Sequence, residues 1–82
     1  MSANVDTMQV DLDLDPSTGQ WYAHCSHPVS AMEALANSAE DLVNWVVDHA
    51  HLTSKVTRRS VRFIWNTHGI RPPVPLPDHM KA

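Results

Sequence analysis

The sequence predicts a small α+β domain: an N-terminal β-hairpin packed on one long amphipathic helix and a second, shorter basic helix. A third strand in place of that second helix is the runner-up. Three observations lead there. Met8-Gln9-Val10-Asp11-Leu12-Asp13-Leu14-Asp15 alternates apolar and polar side chains without a break, the period of a half-buried strand. Pro16-Ser17-Thr18-Gly19 then supplies turn chemistry ahead of Trp21-Tyr22-Ala23-His24-Cys25. Leu35, Ala39, Leu42, Val43, Val46 and Ala50 follow at three- and four-residue spacing, the stripe of a core-facing helix.

Each element has its own justification. In the first strand Met8, Val10, Leu12 and Leu14 face the core, and Gln9, Asp11, Asp13 and Asp15 face water. Trp21, Ala23 and Cys25 share one face of the returning strand, Tyr22 and His24 the other, so residues 8–26 form the hairpin. Ser30-Ala31-Met32-Glu33 has capping-box form and opens the helix, expected over 31–50 as one piece. Ser38-Ala39-Glu40-Asp41 offers a second start. His49 and His51 suit the negative end of that helix. Residues 54–68 fit both periods. As a strand, Val61, Phe63 and Trp65 alternate with Arg62, Ile64 and Asn66; as a helix, Val61, Ile64, Trp65 and His68 make one stripe. Gly69 and Pro72 punctuate the end as they would a helix, which favours the helix.

The chain, 82 residues long, is expected to be a single small domain, with residues 1–7 a flexible N-terminus and 72–82 a Pro-rich extended tail. That tail is expected to lie across its own domain, burying Val74 and Leu76. So short a chain gains from self-association, and a homodimer is expected. Cys25 is the one cysteine, which points to a reducing compartment. The first residues lack a basic and an apolar signal region, and the longest apolar run, around 42–47, is too short for a bilayer. The expectation is a cytoplasmic protein with no membrane partner.

Charge is segregated. Residues 1–54 hold eight acids and no Lys or Arg, while Lys55, Arg58, Arg59, Arg62 and Arg71 follow with no acid among them, within a formal net charge of -3. On a helix over 55–68 the cations share one side and Val61, Ile64 and Trp65 another, the partition of a groove-binding element. Thr57-Arg58-Arg59-Ser60-Val61-Arg62-Phe63-Ile64, with His68-Gly69-Ile70-Arg71-Pro72, resembles the recognition-helix end of helix-turn-helix DNA-binding domains over residues 57–72. That resemblance implies a DNA-binding transcription regulator in which Arg58, Arg59 and Arg62 face duplex DNA, with Lys55 and Arg71 adding phosphate contacts.

The alternative is a protein-interaction or inhibitory module acting through Asp11, Asp13 and Asp15. Their carboxylates repeat about every 7 Å on a strand, which suits a basic partner protein or mimicry of a nucleic-acid backbone. Residues 8–50, a hairpin with Asp15-Pro16-Ser17-Thr18-Gly19-Gln20-Trp21-Tyr22-Ala23 followed by a capped Ala-rich helix, are similar to HicB-like antitoxin domains. Metal binding and catalysis are not expected. His24, Cys25 and His27 cluster, but His24 and Cys25 point to opposite faces of the strand and no C-x-x-C pair occurs. No glycine-rich phosphate cradle is present, and an inward Cys25 is an inert hydrophobe. No cofactor, no small-molecule substrate and no enzymatic activity are expected.

Overall fold

A computed structural model describes residues 5–81. The element order is β1 (Val5–Leu14), β2 (Trp21–His27), β3 (Ser30–Ala36), α1 (Ala39–Thr57), β4 (Ser60–Asn66) and β5 (His79–Met80). The strands form one mixed sheet in the order β3-β2-β1-β4-β5. β1–β2 and β2–β3 are antiparallel hairpin partners, and α1 carries the chain across the sheet so that β4 lies parallel to β1. The class is α+β, with one long helix rather than two.

The hairpin forms as its alternation requires. Val10 pairs with Cys25 and Leu12 with Ala23, so these inward positions meet under the helix. Its turn is held by Asp15, whose side chain accepts from the Ser17 amide at 2.9 Å while Gly19 takes φ 76°. β1 begins earlier than expected: of the residues assigned to a flexible N-terminus, 5–7 pair with β4, and 1–4 lie outside the described residues.

The helix starts at the second of the two candidate caps. Ser38 has an extended backbone (φ -144°, ψ 154°) and its hydroxyl accepts from the Asp41 amide at 3.1 Å. Residues 30–36, expected as its first turns, are instead β3, and Glu33 stands on a strand rather than in a capping box. Pairing along the outer edge of β2, from Trp21–Ala36 to His27–Ser30, outweighs the modest helical preference of Ala. Leu42, Val46 and Ala50 face Met8, Val10, Leu12, Ala23, Cys25, Val61 and Phe63 in the core.

The expected basic helix over 55–68 is overturned. α1 runs on to Thr57, and Arg58 then enters the left-handed region (φ 58°, ψ 31°), its amide donating to Ser54 O at 2.7 Å. The strand reading of Val61, Phe63 and Trp65 is the one realised, because β1 offers an unpaired edge that a second helix would leave exposed. Gly69 (φ 81°) serves a turn after β4, closed by Ile70 N–H donating to Thr67 O at 2.9 Å. The tail then crosses the domain: Leu76 and Met80 pack on the core, and Trp65 Nε1 donates to Pro77 O at 2.7 Å.

Candidate interaction face

α1 and the tail lie on one side of the sheet, where Met8, Val10, Leu12, Val61 and Phe63 are buried. Side chains on the opposite side alternate with these and are not covered by any described element. Register places them in rows: Asp13 beside Tyr22 and Leu35, then Asn66, Asp11, His24 and Glu33. Asp11 and Asp13 therefore stand side by side on the uncovered face, as the alternation of β1 requires.

The rows are tied together by polar contacts. The Tyr22 hydroxyl donates to Glu33 Oε2 at 2.5 Å, and His24 Nδ1 lies 3.4 Å from the same oxygen. These hydrogen bonds hold the Glu33 carboxyl below its usual range. The same hydrogen bond, with burial and the charges of Glu33 and Asp13 adding to it, pushes the Tyr22 phenol above its own. Asp11 Oδ1 accepts from Asn66 Nδ2 at 3.0 Å and lies 3.8 Å from His68 Nε2. The Glu33 carboxylate thus meets both Tyr22 and His24, with Asp13 beside Tyr22 and Asp11 beside His24. Asp15 does not join them: it lies in the hairpin turn, where hydrogen bonds from Ser17 keep its carboxyl low. Glu33 is not among the sequence candidates. The alternation Ala31-Glu33-Leu35 is the signal for Glu33, hidden by the Ser-x-x-Glu spacing of a capping box.

The cations do not form one surface. Lys55 is exposed in the last turn of α1 and Arg58 is its exposed cap. Arg59 is clamped, its Nε donating to Asp6 Oδ1 at 2.8 Å and its Nη2 to Val5 O at 3.4 Å. Arg62 projects from β4 on the uncovered face at the register of Thr7 and His79, and Arg71 is exposed in the tail. The one-sided basic helix is replaced by scattered groups, one of them neutralised by a residue 53 positions away.

The Asp6 carboxylate also lies 3.4 Å from His27 Nε2, whose side chain is fully buried. His27 Nδ1 accepts from the Val29 amide at 3.2 Å, so Nε2 carries the proton and points at Asp6 without meeting hydrogen-bond geometry. His24 and Cys25 do fall on opposite faces. Cys25 is buried, which pushes its thiol up to about 11. Ser30 Oγ and His49 Nε2 are 3.2 Å apart. Among the described residues, no group of three or more His, Cys, Asp or Glu is placed to hold a metal ion, and no helix is long and apolar enough to cross a membrane.

The fold and face together define a three-stranded meander, a single crossover helix and two further strands, β4 and the short β5, that complete the sheet, presenting an uncovered, partly acidic side. Comparison with protein-family models, with curated proteins and with solved structures finds no match for this chain.

Proposed function

We propose that this protein is a small, non-enzymatic interaction module whose uncovered sheet face docks a basic protein surface through Asp11, Asp13 and Glu33. The observation that carries the reading is the uncovered side of the sheet, where these carboxylates stand around Tyr22 and His24. A flat strand surface with an aromatic ring at its centre and acids around it suits Arg- or Lys-bearing side chains, since such charges steer encounter and fix register. Cys25, buried and without a disulfide partner, suits a reducing compartment, and a cytoplasmic location goes with this reading.

Duplex DNA is the competing ligand, and the scattered placement of Lys55, Arg58, Arg62 and Arg71 speaks against it. The test titrates the protein with a labelled Arg-rich helical peptide and, separately, with duplex DNA, each across a range of salt. The expected result is peptide binding that weakens with salt and falls about tenfold in Asp11→Asn/Asp13→Asn, equivalent to about 1.4 kcal/mol. Salt-sensitive retention of DNA that is lost in Arg62→Ala, with no effect of the Asp substitutions on the peptide, would overturn it.

A further inference from the structure

We infer that His24 and His68 gate the acidic face by pH: protonating the two imidazoles offsets the charge of Glu33 and Asp11 and releases the basic partner. The gate rests on the docking proposed above and supplies its regulation. Strand register builds it. One row across the sheet reads Glu33, His24, Asp11 and Asn66, so His24 stands between two carboxylates on neighbouring strands. Its Nδ1 lies 3.4 Å from Glu33 Oε2. The turn after β4 brings His68 to Asp11 from the other side, with Nε2 3.8 Å from Oδ1. Glu33 and Asp11 thus each have an imidazole within ion-pair distance, and two separate elements put them there.

Permanent cations do not compete for these places. Residues 1–54 contain no Lys or Arg. Among the described residues no Lys or Arg is within ion-pair distance of Asp11, Asp13 or Glu33, and Arg59 is taken by Asp6. On the uncovered side His24 is faced by Asp11 and Asp13 from β1, Tyr22 from its own strand and Glu33 from β3. His68 is faced by Asp11 and Asn66, with Arg71 exposed in the tail beyond the turn. Arg62 and His79 pair at the other end of the sheet, and Arg62 is roughly 14 Å along β4 from Asn66. That exceeds the screening length of about 8 Å at physiological salt, so this corner adds little charge around Asp11. The other histidines border neither acid: His27 and His49 lie on the helix side and His51 is exposed on α1.

Imidazole changes charge between about pH 5 and 8, whereas carboxyl groups ordinarily ionise well below that window. Hydrogen bonds from Tyr22 and His24 hold Glu33 lower still. Acidification across the window therefore adds positive charge to the face without removing its negative charge. Above it the imidazoles are neutral, and Asp11, Asp13 and Glu33 offer their full charge to Arg or Lys. Below it His24 lies charged between Glu33 and Asp11, and His68 lies charged beside Asp11. An incoming guanidinium then meets a like charge at two of the three carboxylates, a juxtaposition that works against docking. Binding is strong on the alkaline side and weak on the acid side.

The test measures binding of the labelled Arg-rich helical peptide to the full chain at about pH 8 and about pH 5.5. Arg keeps its charge throughout, so any change reads the protein and not the peptide. Affinity should fall about tenfold at the lower pH, matching the effect of Asp11→Asn/Asp13→Asn at the higher one. In His24→Gln/His68→Asn the peptide should bind almost equally at both, Asn being chosen because His68 sits at φ 53°. His49→Gln, on the helix side, should keep the whole drop. Circular dichroism at both pH values checks that each variant stays folded. In the free protein, the carboxyl carbon signals of Glu33 and Asp11 should shift together with the imidazole signals of His24 and His68. Affinity that does not change with pH, or a drop that persists in His24→Gln/His68→Asn, overturns the gate and leaves the docking intact. A peptide that binds at neither pH overturns the docking, and the gate with it.

Discussion

Toward β4, α1 meets the chain's own tail: Leu76 and Met80 pack on the core, Val74 and Pro75 lie by Glu40, Val43 and Asn44, and Pro77 receives the Trp65 indole N–H. Toward β3 the same helix shows Trp45, Leu52 and Val56 to solvent. One flank is sealed by a segment whose stretch 72–77 has little hydrogen-bond ladder to offer, since prolines at 72, 73, 75 and 77 remove donors, and only its end pairs with β4. A proline-rich strap is well suited to such a seal. Its backbone is pre-set in an extended form, so less conformational freedom is lost when it lies down over Phe63 and Trp65. The other flank has received no such cover. A domain this small has little surface to spare for burial, and the difference shows which side is completed within the chain.

Breaking the sealed side should have the largest effect. Phe63 is buried and stacked on Trp65 with ring centroids 5.5 Å apart. Phe63→Ala should lower stability by about 3–5 kcal/mol, read from urea unfolding followed by tryptophan fluorescence. Removing the chain after Arg71 takes away the cover over the same ring pair and the acceptor for Trp65. That truncation should cost about 2 kcal/mol and increase the solvent exposure of Trp65, seen as a red-shifted emission.

The bare flank should respond to pH rather than to truncation. Burial, with the nearby His27 adding to it, lowers the His49 imidazole from its ordinary value. The unfolded chain therefore takes up a proton near pH 6.5, before the folded one does. The contribution of this group is present above that pH and is lost as pH falls toward the lowered folded value. Stability should accordingly decline on acidification below about pH 6.5, and His49→Gln should flatten that part of the curve. The smallest effect is expected at Leu52: in dilute solution Leu52→Ala should change unfolding free energy by no more than about 0.5 kcal/mol, because the side chain is already in water. A large loss there would mean that the flank is covered within the monomer.

What is legible in the sequence follows the same division between local and distant causes. The alternation of 8–14 and the stripe Leu42, Val43, Val46 and Ala50 are local patterns, and both faces are occupied as read. So is the placement of Asp11 and Asp13 on the outer side, and the tail's lie across the domain. β3 is obscured because Ala31, Ala34 and Ala36 favour a helix and Ser30 with Glu33 imitates its start; only the free edge of β2 makes it a strand. Residues 60–66 satisfy both periods, and the vacancy beside β1 decides between them. Arg59 reads as a groove-facing cation, yet its partner Asp6 lies at the far end of the first strand, a pairing that only the parallel register of β1 and β4 creates.

The most direct measurement of the asymmetry is amide hydrogen exchange, residue by residue. Exchange should be slow in β4 and the tail-covered end of α1 and fast at the alternate amides of β3 that face its outer edge, because only the β4 edge is paired within the chain. Slow exchange along the outer edge of β3, with β4 left unprotected, would contradict the account.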